Sequence, residues 1–78
     1  MATLGHIEIR PDVMLGKPVI RGTRITVELI LRRISEGAKE DDILDSYPHL
    51  TREGIRAAVA FAADEIAHTE TIDIAASA

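Results

Sequence analysis

The residues best suited to chemistry in this chain are basic residues at short, regular spacings. Arg52 and Arg56 are four residues apart, so on a helix they would share one face and could contact guanine or phosphate. Lys17, Arg21 and Arg24 form a second basic group with no acidic residue among them. Together these groups predict contacts with nucleic acid, and the second could instead bind a small anion such as phosphate or a nucleotide.

Catalysis and metal binding have little support. The chain has three histidines, His6, His49 and His68. They are isolated from one another and lack the HxH or HExxH spacing that is typical of metal ligands. Three aspartates between residues 41 and 45 are expected at a helix start in any case, because the helix dipole favours acids there. The chain has no cysteine, which excludes thiolate sites and disulfides. We therefore expect a protein that is not an enzyme and holds no metal or cofactor.

Charge is divided unevenly along the chain. The net charge is −4, yet residues 1–33 contain six basic and three acidic residues, whereas residues 34–78 contain three basic and ten acidic residues. The positive half could meet an anion and the negative half a basic protein, unless both are simply solvated. A chain of 78 residues forms one small domain that buries roughly 60% of its unfolded surface, so domains of this size often depend on a partner.

The cellular location is predicted from two features that the sequence lacks, a leader pattern and a membrane-spanning apolar run. The N-terminus has no basic-then-apolar leader pattern, and the longest apolar run, Ala57–Ala63, is far too short to cross a bilayer. We expect a cytoplasmic protein with no membrane association.

The segment Gly16–Ile25 must position the second basic group, and it contains two glycines and a proline. These residues predict a turn at 15–17, a short strand at 18–20 and a second turn at 21–23 that leads into a helix. His6–Arg10 alternates apolar and polar residues and predicts a strand that pairs with 18–20 in a loose hairpin.

Three helices follow the hairpin. The first begins at Thr26, a suitable N-cap, and ends before Gly37. The second begins at Lys39–Asp42 and ends before Pro48, and the third begins after Thr51. In the third helix a narrow sector is predicted to face the core: Ile55, Ala58, Val59, Ala62 and Ile66.

A short helix, a tight connection and a longer helix follow the helix-turn-helix pattern, in which the start of the last helix reaches base edges. Thr51, Arg52 and Arg56 are the candidate DNA contacts at that place. Gly54 stands among them and costs helix stability, so it is expected to allow close approach of DNA or of a neighbouring helix. The same pattern also suits a three-helix scaffold that makes no contact with DNA.

Two features of the C-terminal part could serve a protein partner. Ala57, Ala60 and Phe61 form a smooth second face of the third helix, although Phe61 could instead turn into the core. After Ala67, the alternating segment Thr69–Ile74 could be a third strand of the hairpin, a strand added to a partner or a frayed tail. We therefore divide the chain into a domain, 1–68, and a C-terminal strand or tail, 69–78.

Several motifs follow one another along the chain: the run from Gly16 to Val27 (GKPVIRGTRITV), then Gly37, then Ile43-Leu44, then Tyr47–Thr51 (YPHLT), and an alanine-rich helix. In this order they resemble domain-of-unknown-function family 433. The resemblance extends over roughly Ile7–Ala67. It implies a mainly α fold, with a short N-terminal β-hairpin on a three-helix, homeodomain-like helix-turn-helix core.

The resemblance also implies a role as a VapB-like antitoxin that restrains a PIN-like nuclease toxin. An antitoxin of this type binds its toxin and often binds its own operator DNA as a homodimer. The acidic half would then provide the toxin contacts, at Phe61, Glu70, Ile72, Asp73 and Ile74. The basic half and the start of the third helix would provide the DNA contacts. The alternative is an interaction scaffold that does not bind DNA, which the negative net charge favours.

Overall fold

The computed structural model describes residues 2–69, which form a small antiparallel sheet followed by three helices. The predicted mainly α class, with an N-terminal β-hairpin and three helices, is confirmed. The elements are β1 (Ala2–Leu4), β2 (Ile7–Ile9), a short 3₁₀ turn (Met14–Gly16), β3 (Pro18–Ile20), α1 (Val27–Ser35), α2 (Glu40–Ser46) and α3 (Arg52–Thr69).

The sheet has three strands in the order β1-β2-β3, one more than the predicted hairpin. In the predicted pair, β2 and β3 run antiparallel with Ile7 opposite Ile20. The additional strand, β1, comes from the N-terminus and joins β2 through a tight turn at Gly5, whose φ is +59°. The prediction assigned Thr69 to the C-terminal segment, whereas it is the last residue of α3, and residues 70–74 lie outside the described residues.

Local capping sets where the helices begin and end. The N–H of Leu29 donates to Thr26 Oγ1 at 3.0 Å, so Thr26 is the N-cap of α1. Gly37 follows α1 with a φ of +97°, and its N–H donates to the carbonyl of Ile34. At α3, the N–H of Gly54 donates to Thr51 Oγ1 at 3.0 Å. The predicted caps of the first and third helices therefore lie where the sequence placed them.

The hydrophobic core lies between the sheet, α1, α2 and the first half of α3. It contains eight buried residues: Ile7, Ile20, Val27, Ile30, Ile43, Leu50, Ile55 and Ala58. The prediction that Val59 and Ile66 belong to it is wrong, because their exposed fractions are 43% and 52%. Val59 lies in the first half of α3, on a side turned away from the core that holds the neighbouring Ala58. Ile66 is exposed for a different reason: α3 has 18 residues and α1 has nine, about 27 Å against about 14 Å, so the second half of α3 extends beyond α1.

Candidate interaction surfaces

The start of α3 brings the two predicted DNA-contacting arginines together around acids of α2. Arg52 Nη1 lies 3.1 Å from Glu40 Oε1, and its Nη2 is bonded to Asp41. Arg56 Nε lies 3.2 Å from Glu40 Oε2. Thr51, the third residue predicted here, is exposed, and its hydroxyl accepts the capping bond of α3. This corner therefore carries two positive and two negative charges that largely neutralise one another.

The ion pairs shift the pKa values of their members. The hydrogen bonds from Arg56 and then Arg52 lower the pKa of Glu40 below 4.5. The hydrogen bonds to Asp41 and then Glu40 raise the pKa of Arg52. Both shifts favour the charged states, so at neutral pH a phosphate that approached these arginines would compete with bound carboxylates.

Gly54 faces the interior of the protein. A Cβ atom on it would lie 3.4 Å from Thr51 Oγ1 and 3.7 Å from Ile20 Cγ2, and Gly54 itself is buried. The first turn of α3 packs on the end of β3 at this residue, with room for little more than one methyl group. The sequence predicted that DNA or a neighbouring helix would approach this glycine, whereas the element packed against it is the strand β3.

The other predicted basic group is divided between two surfaces. Lys17 Nζ lies 3.1 Å from Glu28 Oε1 on α1. Arg21 and Arg24 are exposed on the turn between β3 and α1, and neither forms an ion pair within residues 2–69. Arg24 lines a shallow hollow whose other charged residues include two acids, Glu8 and Asp12. This mixed charge gives the turn little selectivity for an anion.

Beneath the second half of α3 lies an apolar groove of about 610 Å³, which we call the α1–α3 groove. Its walls come from α1, from Lys17 and Pro18, and from the side of α3 that carries Phe61, Ala62 and Ile66. Val27 and Leu31 supply the apolar side of α1. The first half of α3 packs core residues against the rest of the domain, whereas the space between α1 and the second half of α3 is left open.

The charged groups at the rim of the groove are largely paired. Glu28 accepts hydrogen bonds from Lys17 Nζ and Arg32 Nε, each at 3.1 Å. The bonds from Lys17 and then Arg32 lower the pKa of Glu28. Glu65 of α3 supplies the other negative charge, so the four charged rim residues sum to zero.

Phe61 was predicted to be either a partner contact or a core residue, and it has features of both. It is half-buried, packs against the core and lines the α1–α3 groove. The other predicted partner contacts lie outside the described residues: Glu70, Ile72, Asp73 and Ile74.

A second apolar strip, the outer face of α3, is formed by Val59, Ala63 and Ile66 at positions i, i+4 and i+7. All three of its residues are exposed.

One surface feature was missed by sequence reasoning. Leu15 is 95% exposed and has a φ of +59°, and Met14 before it has a φ of +48° and is also exposed. A turn was predicted here, but the exposure was not. The signal was Leu15 itself, an apolar residue within a predicted turn, where glycine and small polar residues are the usual occupants.

No other chemistry is evident in the described part of the chain. Residues 2–69 contain no group of three or more histidine, aspartate or glutamate side chains placed to hold a metal ion. Of the helices in that range, none has the length and apolar character needed to span a membrane.

Comparison with known proteins identifies relatives of the chain. The uncharacterized protein y4eO of Sinorhizobium fredii (strain NBRC 101917 / NGR234) is 36% identical over 52 residues, which cover 67% of this chain and 24% of that protein. The chain thus spans about a quarter of the length of this curated relative.

A solved structure shows the same fold. The crystal structure of a DUF433 member protein from Anabaena variabilis ATCC 29413 matches with a TM-score of 0.74 and 33% identity, over 94% of this chain and 69% of that one. The family model described as protein of unknown function (DUF433) matches residues 7–62. The chain therefore belongs to the DUF433 family.

Proposed function

We propose that the protein is a cytoplasmic antitoxin of a type II toxin–antitoxin pair, and that it binds and inhibits a PIN-like nuclease through the outer face of α3. The observation that carries the proposal is the exposed apolar outer face of α3, where Val59 and Ile66 are 43% and 52% exposed. A helix of this length with an unpartnered apolar strip suits a partner that covers it.

Charge supports a basic partner. Asp64 and Glu65 flank the outer face of α3, and residues 34–78 carry ten acidic and three basic residues. A nuclease that binds RNA needs a positive surface around its active site, which an acidic inhibitor would oppose. Glu70, Ile72, Asp73 and Ile74 continue directly from α3 and would extend the contact along the nuclease as an added strand.

The pairing of Arg52 and Arg56 with Glu40 favours a protein-binding role over a DNA-binding one. Operator binding by a homodimer is nevertheless a second candidate, because both arginines are exposed on one face at the start of α3. The arginines would have to exchange Glu40 and Asp41 for phosphates. An interaction scaffold without DNA contacts would retain those pairs.

Capture from the source cell with the tagged full chain tests the antitoxin proposal. We expect a PIN-like nuclease at a near one-to-one ratio, and we expect Val59→Lys to abolish its recovery. Ile34→Lys is the matched control, because Ile34 is 40% exposed but lies on α1 outside the outer face. Recovery without such a nuclease, or equal recovery by both variants, would contradict the proposal.

A salt series on the DNA upstream of the coding sequence tests operator binding. Each phosphate contact makes the logarithm of the affinity fall by about 0.9 per logarithm of salt concentration. If operator binding is correct, changing Arg52→Ala and Arg56→Ala together weakens the binding and reduces that slope by about 1 to 2, while the domain stays folded. Unchanged affinity in the double variant would show that these arginines do not contact DNA.

A further inference from the structure

The turn at residues 14–16, which we call the Leu15 turn, holds an apolar side chain in solvent on a strained backbone. Met14, Leu15 and Gly16 all have positive φ, at +48°, +59° and +79°. Hydrogen bonds from Gly16 N–H to Val13 O at 3.0 Å, and from Lys17 N–H to Met14 O at 3.1 Å, close the turn. Only glycine adopts such angles without a steric penalty.

Nothing within the described chain compensates for that penalty at Leu15. Its side chain is 95% exposed, so it contributes almost no burial to the folded domain. Glycine or asparagine would hold the same turn with less strain and without an apolar group in water. A strained position that displays a large apolar side chain indicates a contact surface for another molecule.

The Leu15 turn is adjacent to the α1–α3 groove. Lys17 and Pro18 line the groove, and Lys17 follows Leu15 by two residues, so their Cα atoms are at most about 7 Å apart. A protrusion and an apolar hollow therefore occupy neighbouring positions on one surface. A two-fold axis that passes between them brings the protrusion of each copy to the hollow of the other.

We propose that two copies of this chain form a symmetric dimer in which Leu15 of each copy inserts into the α1–α3 groove of the other. Such an interface is self-complementary, which is what a two-fold dimer requires of a single surface. The walls that receive Leu15 are apolar and include Leu31, Phe61 and Ala62. The volume of about 610 Å³ accommodates a leucine side chain with its neighbouring Met14.

Charge and area are compatible with a second copy as the occupant. The four charged rim residues of the groove sum to zero, so two such surfaces do not repel each other strongly. A stable interface needs about 800 Å² from each partner, roughly one seventh of the 5551 Å² surface of the described chain. Ile66 belongs to both the groove and the outer face of α3, whereas Val59 and Ala63 do not line the groove. Val59→Lys and Leu15→Asn therefore test nuclease binding and this dimer separately.

Sedimentation of the full chain over a range of concentrations tests the dimer. We expect a dimer at high micromolar concentration, and we expect Leu15→Asn to raise the dissociation constant at least tenfold. Asparagine tolerates positive φ, so this variant keeps the turn and removes only the protrusion. Ile34→Asn is the matched control, an exposed apolar residue of α1 that does not line the groove, and it should remain dimeric.

A mixing experiment tests whether the contact is reciprocal. Ala62→Glu places a charge in the groove, and its folding is checked by circular dichroism. Each variant alone should be largely monomeric, whereas an equimolar mixture of Leu15→Asn and Ala62→Glu should form heterodimers, because one intact protrusion then meets one intact groove. A wild-type protein that stays monomeric, whether its groove holds its own C-terminal segment or a foreign partner, overturns the proposal. So does a dimer that Leu15→Asn leaves unchanged.

Discussion

Gly54→Ala tests why a glycine stands in the first turn of α3. The added methyl would meet Ile20 Cγ2 at 3.7 Å, an ordinary contact, and Thr51 Oγ1 at 3.4 Å, the near limit of one. The backbone of Gly54 does not have a positive φ, so alanine fits its conformation. Alanine is about 1 kcal/mol better than glycine within a helix. We therefore expect Gly54→Ala to stabilise the domain by up to about 1 kcal/mol.

Urea unfolding followed by circular dichroism, at a low protein concentration, measures this change. Gly54→Val is the companion variant: its two additional methyl groups cannot fit between Thr51 and Ile20, and overpacking of this kind costs about 1 to 3 kcal/mol. Opposite signs for the two variants would show that the contact with β3 has room for one methyl group and not for a larger side chain. A loss of 1 kcal/mol or more in Gly54→Ala would refute the reasoning from these distances.

Three further predictions concern the segments that position the surfaces. Thr26→Ala removes the cap of α1 and should cost about 1 kcal/mol in urea unfolding, while Thr26→Ser should retain most of the stability. Gly22→Ala meets no neighbouring atom, yet its φ of +80° should make the change cost about 1 to 2 kcal/mol in the same assay. Ion pairs lower the pKa values of Glu28 and Glu40 in the folded state, so their stabilisation is complete above pH 4.5 and is lost as the pH falls below it. Changing both residues to glutamine should make the urea midpoint depend less on pH in that acidic range. An unchanged dependence on pH would contradict the assignment.

The elements that sequence reasoning located correctly are those whose ends depend on local chemistry. Thr26 and Thr51 accept hydrogen bonds from N–H groups three residues later, a contact that needs no knowledge of the rest of the fold. Gly37 ends α1 because its positive φ is available to glycine at little cost. The pairing of β2 with β3 followed from the alternation of Ile7 and Ile9 with polar neighbours.

What could not be predicted depends on how far other elements reach. Periodicity showed which face of α3 carries Ile66, but its burial depends on the reach of the shorter α1. The ion pairs of Glu40 with Arg52 and Arg56 join residues 12 and 16 positions apart, which only the packing of α2 on α3 brings together. Strand β1 was missed because its turn lacks the Asn-Gly or Asp-Gly signal of a tight hairpin.

Inhibition of nuclease activity is the most direct test of the proposed function. The purified PIN-like nuclease would be titrated with the full chain while RNA cleavage is measured. The antitoxin proposal predicts complete inhibition at about one equivalent, with Ile34→Lys inhibiting as wild type does and Val59→Lys requiring at least tenfold more protein. Cleavage that persists at a large excess of the wild-type chain, or equal inhibition by both variants, would contradict binding through the outer face of α3.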